Sequence, residues 1–501
     1  MRKFVFAFLA VIASAWLLWL LDDGLELSWP STALRNWQQF GVFTLHGSLI
    51  DNPGGFDVAS HPHVYYGMSP WYLFPVYFCL LAFSWLGLGS LPYLVFLAAL
   101  VFWGIWLLLG KNTPALLVAA LVILCPGYGR WQKGLDPNAI SVLLGIPYAA
   151  LVVYLLKKTQ LSVRHYALLC LTTVMFVLLN WTTAWFLGVF GVFLLLNREL
   201  RRRPVLVYLT LTAAGSIAFV GFSMLAKHHG GAAAAEAAPA AAGGFLGGYT
   251  WGAYGYYEGL SNARFFFRLF FVNLTALFPL LCWWAWEAAR GIRKAPRAGW
   301  LSVLPVLMAT AEVVAMRNYF CHHPWMASPV FIVGLVFSLA MLSSGRGQED
   351  VFRGRLKWPV TAMICTMFYG LLVLSVYRAN SRDGMSLAHL IQENIPRNED
   401  VVVVKAVDPE TAAISRSLGT QFDRHFVVVA TTNDLPAGRN YLILSSVPAS
   451  NLPLAAQTDT AARPTFYTSL ANWFNHTIAH RKTGDRTNFA PHYYLYQPAS
   501  Q

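Results

Sequence analysis

Charge is what this sequence has least of. Asp, Glu, Lys and Arg together make up 12% of its 501 residues, about half the share usual in soluble globular proteins. That scarcity excludes an ordinary water-soluble domain for most of the chain. Cysteine is scarce as well, and all six (79, 125, 170, 282, 321, 365) fall in or beside apolar segments. None lies in the hydrophilic C-terminal part, which excludes a disulfide framework or a CxxC metal site there. That part also lacks a phosphate loop, a nucleophile elbow and a metal-ligand cluster.

What the chain has instead is apolar length. Hydrophobic residues make up 56% of it, and runs of about 17–22 residues, long enough to cross a bilayer, recur from residue 4 to residue 377. The spacing predicts spans near 4–21, 91–110, 114–126, 138–156, 163–180, 181–197, 205–226, 263–287, 299–316, 324–343 and 358–377. The net charge of +13 suggests nucleic acid in a soluble chain; here it is an orientation signal. Eighteen of the 36 Lys and Arg lie in six clusters, at Arg2–Lys3, Lys111, Lys157–Arg164, Arg198–Arg203, Arg290–Arg297 and Arg346–Lys357. A cytoplasmic N-terminus puts all six inside, as the positive-inside rule expects. The segment 70–88 is apolar enough to span, but a span there would turn those clusters outward. It is therefore expected to dip into the outer face or lie along it. The Ala13-Ser14-Ala15 triplet resembles a signal-peptide cleavage site, but the apolar run continues to Leu21, which favours an uncleaved anchor.

From about Asp383 the composition becomes that of a soluble domain. Strand-like runs at 401–407, 425–432 and 441–447 alternate with D-P-E-T-A-A-I-S-R-S-L and a later amphipathic stretch, which predicts a small α/β domain. The expected fold is thus a polytopic α-helical membrane protein of about 11–13 spans, with a small C-terminal α/β soluble domain on the outer face. Residues 1–382 form its membrane domain, with outer loops 22–69, 127–137 and 227–262, and residues 383–501 form the outward domain.

The ionisable residues that remain collect at the outer face. Asp22 and Asp23 end the first span. The stretch P-G-Y-G-R-W-Q-K-G-L-D-P-N-A (126–139) sets Arg130, Lys133 and Asp136 between two apolar runs. Glu258 stands among aromatics and glycines, and Arg317, His322 and His323 share M-R-N-Y-F-C-H-H-P-W, with Glu312 a little over one turn earlier. Ionisable groups at this depth are functional candidates by default. Asp136 also reads simply as an N-cap before Pro137, and His61 and His63 as loop residues without a third metal ligand nearby. Transfer from a lipid-linked sugar phosphate needs cations, or a metal held by carboxylates, for the leaving phosphate, and a carboxylate to orient or deprotonate the acceptor.

The stretch 126–140 resembles the segment of oligosaccharyltransferase catalytic subunits that reads proline, glycine, tyrosine, an arginine, a glycine and then an acidic pair. These subunits, like the dolichyl- and polyprenyl-phosphate-sugar mannosyltransferases, are GT-C membrane glycosyltransferases. G-K-N-T-P-A-L-L-V-A-A-L-V-I-L-C-P resembles their preceding turn and span. H-P-H-V-Y-Y-G-M-S-P-W resembles the end of their first outer loop, and the Asp22-Asp23 pair the acidic residues that open it. The resemblance covers residues 1–200 in motif order and only topology beyond. It implies that Asp22 or Asp23 and Asp136 are catalytic or metal-binding carboxylates, that Arg130 is a donor-phosphate or structural residue, and that Glu258 belongs to a mobile outer loop. Where the family has a second acid, this chain has Asn138. That favours a metal-independent form, with Arg130, Lys133 and Arg317 on the donor phosphate, over one in which Asp23, Asp136 and Glu258 hold a divalent cation (Mg or Mn). The family's W-W-D-Y-G is also missing, and W-W-A-W-E at 283–287 lies in a span, so the acceptor is expected to be a glycan, a lipid or another polymer, protein included, rather than a sequon asparagine.

The expectation is therefore a glycosyltransferase in a bacterial inner or cell membrane, N-terminus cytoplasmic and C-terminal domain periplasmic or extracellular. Its partners would be a polyprenyl-phosphate-linked sugar, the acceptor and membrane lipids, with no nucleic acid. A transporter or flippase, or a non-catalytic membrane scaffold, is the alternative. The predicted topology has a direct check. A reporter active only outside the cytoplasm is expected to be active when fused after Gln501 and silent when fused after Arg203. The reverse result would reject the orientation.

Overall fold

The computed structural model describes residues 29–45, 48–50, 70–83, 91–110, 113–124, 137–158, 160–179, 182–197, parts of 205–218, 277–316, 327–344, most of 393–447, 452–458 and 493–497, with a few isolated residues. The helices in chain order are α1 (Trp29–Phe40), a 3-10 turn (Pro70–Tyr72), α2 (Phe74–Phe83), α3 (Leu91–Leu108), α4 (Thr113–Leu124), α5 (Pro137–Leu156), α6 (Val163–Leu179) and α7 (Thr183–Leu196). There follow α8 (Leu209–Ala218), α9 (Phe278–Lys294), α10 (Pro296–Ala315) and α11 (Ala327–Ser344). Five strands complete the described elements: β1 (Asp400–Val404), β2 (His425–Val429), β3 (Tyr441–Ser445), β4 (Leu454–Gln457) and β5 (Tyr494–Tyr496). The chain divides into two compact units. The first is Met1–Leu21 with Tyr66–Val373, and the second is Asp22–Tyr65 with Leu374–Gln501.

In the first unit, helices stand on most of the apolar runs predicted between 91 and 344, and the 70–88 stretch holds the 3-10 turn and the ten-residue α2. α9 differs from the expected 263–287, running seven residues further, through Arg290, Arg293 and Lys294, while 263–276 lie outside the described residues. The expected spans 4–21 and 358–377 lie outside the described residues, apart from Thr361. By length and composition, α10 is long and apolar enough to cross a membrane, while the apolar stretches of α2, α3 and α5–α8, and of α11, are shorter.

The unit is built around α11, whose residues from Ala327 to Ala340 are all buried. Such a helix must be apolar on every side, and its sequence, A-S-P-V-F-I-V-G-L-V-F-S-L-A, is. Phe337 packs against Phe186, Phe190 and Phe193 of α7, with ring centroids 5.6, 5.7 and 5.0 Å away. The Trp284 indole of α9 donates to the Ser338 hydroxyl at 2.5 Å. Small residues set the closest approaches, as in helix packing where area burial between helices adds little. A Cβ on Gly334 would stand 2.9 Å from the Pro305 carbonyl of α10, and one on Gly104 of α3 would stand 2.8 Å from the Pro147 backbone of α5. Between α5 and α6, Tyr148 stacks on Phe176 at 4.7 Å and shares a hydrogen bond of 2.9 Å with Thr173.

In the second unit the sheet order is β2-β1-β3-β5-β4. β1 runs parallel to β2 and β3, and β5 runs antiparallel to β3 and β4. β1, β2 and β3 stand on the three V/I/L-rich runs that the sequence marks, while β4 and β5 lie outside them. Alternation sends Val401, Val403 and Leu444 to one face, with Leu390, Ile391 and Leu418, and sends Val402, Val404 and Ile443 to the other, with Val429 and Tyr496. Both faces of β1 are covered, which is why it reads as an unbroken valine run.

The close approaches give a stability test. Gly334→Val is expected to cost about 1–3 kcal/mol because the neighbouring backbone must move. Gly188→Ala, where an added Cβ meets nothing within 4 Å, should be neutral or stabilising by up to about 1 kcal/mol. Thermal unfolding of the purified chain separates the two; equal melting points would reject the packing.

Candidate functional site

The residues that carry the expected chemistry are Asp22, Asp23, Asp136, Arg130, Lys133, Arg317, Glu258, His61, His63, His322 and His323. All of them lie outside the described residues. The elements beside several of them are described. Pro137, directly after Asp136 in the chain, is the first residue of α5, and α10 ends at Ala315, two residues before Arg317. Glu312 is described and half-buried in the last turn of α10. Among the described residues, no group of three His, Cys, Asp or Glu side chains could hold a metal ion.

The polar geometry that is described lies in the second unit, at the two ends of its parallel strands. The chain leaves β1 toward β2 on one side and leaves β3 toward β4 on the other. The carboxyl ends of β1 and β3 thus form the switch point at which open α/β sheets usually bind ligands. Here Asp408 fills it. Its Oδ1 accepts from the Thr411 N–H at 3.0 Å, which caps the helical residues that follow. Its Oδ2 accepts from the Ser446 N–H at 2.5 Å and the Ser446 hydroxyl at 2.7 Å. Burial alone would raise the Asp408 pKa; the backbone and hydroxyl donors of Ser446 and Thr411 outweigh it and hold the carboxyl below its ordinary range. A phosphate or carboxylate ligand has no place at a helix start already occupied by an anion.

The opposite end carries the charge. Asp423, 1% exposed and with φ of 54°, adopts a left-handed conformation that Asp tolerates better than most residues. Arg397 grips it side-on, Nε to Oδ2 at 2.7 Å and Nη2 to Oδ1 at 3.4 Å. Arg397 Nη2 also donates to Asn36 Oδ1 at 2.7 Å, and Nη1 donates to Gln39 Oε1, both on α1. Arg35, also on α1, brings its Nε within 2.5 Å of Asp423 Oδ2. Arg424 donates from Nε to the Ile395 carbonyl at 2.9 Å. Burial lowers the Arg424 pKa, Asp423 partly restores it, and the Arg35 and Arg397 charges lower it further. One strand position on, His425 Nδ1 faces Asp400 Oδ1 at 2.8 Å across the β1–β2 pair.

Sequence reading had not marked Asp408, Asp423, Arg35 or Arg397. Asp408-Pro409 after a valine run is a recognisable strand-to-helix signature. Nothing local signals that Arg397 meets Asn36, 361 residues away. No protein-family model matches this chain, and no curated protein does.

Asp408 has a pH consequence. Because its folded pKa is depressed, its contribution is present above the ordinary value of 3.8 and is lost as pH falls through the folded value. Asp408→Asn is expected to lower stability at neutral pH by about 1–3 kcal/mol and to shrink the wild-type loss below pH 4. Parallel acid-unfolding curves for the two proteins would refute this role.

Proposed function

We propose that the chain is a polytopic membrane glycosyltransferase that moves a sugar from a polyprenyl-phosphate-linked donor to an acceptor at the outer face. The observation that carries the transferase reading is the stretch P-G-Y-G-R-W-Q-K-G-L-D-P-N-A. It carries two cations and an aspartate in the stretch that precedes α5 in the chain, the residue types that a lipid-borne phosphate and the reacting carbon of its sugar would call for. The membrane reading is supported by the outward faces of the first unit. Leu171 and Met175 on α6, Phe78 on α2, Phe96 on α3, Leu195 on α7 and Leu307 on α10 are each at least half exposed. In water a helix that packs on one side turns polar residues to the other; these helices turn leucine and phenylalanine to both. Lipid is the solvent that suits such a surface.

In this reading Arg130 and Lys133 stabilise the departing phosphate, Arg as a two-pronged donor and Lys as a point charge. Asp136 orients or deprotonates the acceptor, and Asp22 and Asp23, which end the predicted first span, are the further candidate catalytic carboxylates. A divalent cation, where one takes part, would be held by Asp23, Asp136 and Glu258. The second unit supplies the outward domain.

The test is transfer and donor binding by the purified chain in nanodiscs, using polyprenyl-phosphate sugars. Arg130→Ala is expected to weaken donor binding by about 1.5–3 kcal/mol. Asp136→Ala should bind the donor and lose turnover by about 100-fold or more. A folded wild type that binds none of several donors would reject the transferase and favour a transporter or scaffold. Activity unchanged by both substitutions would reject the assigned roles.

A further inference from the structure

The turn between α9 and α10 carries positive charge that is unanswered among the described residues. One residue, Ala295, joins the two helices, and a Cβ on Gly299 would overlap the Ile292 backbone nitrogen, so the turn is closely packed. Arg293, Lys294 and Arg297 are exposed around it, and among the described residues none of the three has a hydrogen bond or an ion pair. The acids of these helices are Glu287 and Glu312. Glu287 is buried and paired with Arg290 at 3.4 Å, and Glu312 stands in the last turn of α10, away from the cations. Arg293 and Lys294 suit the carbonyl end of α9. Arg297, in the first turn of α10, sits where the helix dipole disfavours a cation, so helix stability does not account for the set. Away from the turn, both helices become apolar on the same outward faces. On α9, Cys282, Ala285, Trp286 and Ala289 are exposed on the face of Arg293; on α10, Trp300, Leu307 and Ala311 are exposed on the face of Arg297. Trp286 and Trp300 are 58% and 61% exposed. From Arg293 back to Cys282 the helix rises about 16 Å, close to one leaflet of a hydrocarbon core about 30 Å thick.

We propose that the α9–α10 turn binds the headgroups of anionic phospholipids, at the membrane face where the positive-inside rule places this cluster. Arg293, Lys294 and Arg297 supply the charge, and Trp286 and Trp300 lie at the headgroup level. The order cation, tryptophan, apolar face matches the order headgroup, interface, acyl chain of a phospholipid. Three unanswered positive charges select an anionic over a zwitterionic headgroup. The proposal rests on the membrane reading and is independent of the transferase chemistry.

The experiment reconstitutes the full chain in vesicles of phosphatidylcholine and phosphatidylglycerol in equal parts, extracts it in mild detergent and counts the retained lipid by native mass spectrometry. The wild type is expected to keep phosphatidylglycerol in about tenfold excess or more, an excess that shrinks as salt is raised. Arg293→Gln/Lys294→Gln/Arg297→Gln is expected to lose the excess. Arg297→Gln alone should weaken it about fivefold, the weight of one basic residue at an anionic surface, which covers the case of a triple variant that does not fold. Arg201→Gln/Arg202→Gln/Arg203→Gln removes the same charge elsewhere in the chain and should keep the excess. Equal retention of both lipids by the wild type, or an equal loss in the two triple variants, overturns the proposal. An alkaline carbonate wash of the vesicles keeps the two readings apart. A chain that is released rejects the membrane reading and this site with it, while a chain that stays and shows no excess rejects the site alone.

Discussion

The first unit depends on one constraint, a helix buried on every side. From Ala327 to Ala340 no residue of α11 reaches solvent, so neighbouring helices must close around it and no face can be polar. The aromatic ladder of Phe186, Phe190 and Phe193 against Phe337 fills one side. Gly334 allows the α10 backbone to close on another at Pro305. The two hydroxyls that α11 brings inside near its ends, Ser328 and Ser338, are tolerable only when hydrogen-bonded, and Ser338 accepts from Trp284. Because the centre is already apolar throughout, amphipathicity cannot tell inside from outside in this unit. Of the surrounding helices, α7 and α10 are largely apolar, while α9 gathers Glu287, Arg290, Arg293 and Lys294 in its second half.

The second unit solves the opposite problem. Its sheet is short and both faces of β1 are covered, so its core follows from strand alternation. Its polar groups are the expensive part. Asp400, Asp408 and Asp423 are each no more than 2% exposed, and each is held by donors: His425, the Ser446–Thr411 pair, and Arg397 with Arg35. A buried carboxylate without such partners would be strongly destabilising. The Asp423 node also joins α1, from the early part of the chain, to the strands near its end. The second unit therefore closes only after both stretches have been made, and the segment 22–65 belongs to it.

Much of this was legible beforehand. Most helices between 91 and 344 lie where hydropathy puts them, because an apolar run of that length has few other stable conformations; α9 instead runs on into a basic stretch. The three valine- and isoleucine-rich runs became β1, β2 and β3, since β-branched residues suit a strand covered on both faces. The turns that start helices at Pro137 and Pro409 are both written as Asp-Pro. The stretch 70–88, apolar enough to span but expected as a helix that dips into or lies along the outer face, holds a 3-10 turn and a ten-residue helix among its described residues. Two prolines, Pro70 and Pro75, lie within its first six residues, and proline is at home in the first turn of a helix rather than in its middle.

The sequence by itself determined the periodic features: which runs become helices and which become strands. Each is a short-range property of hydropathy, side-chain shape and charge. Only the tertiary structure decided that Arg35, Arg397 and Arg424 converge on Asp423, that Asp408 fills the switch point of the sheet, and that Gly104 and Gly334 are where helices touch. Those facts depend on residues far apart in the chain becoming neighbours, and no local pattern encodes the partner of a buried charge.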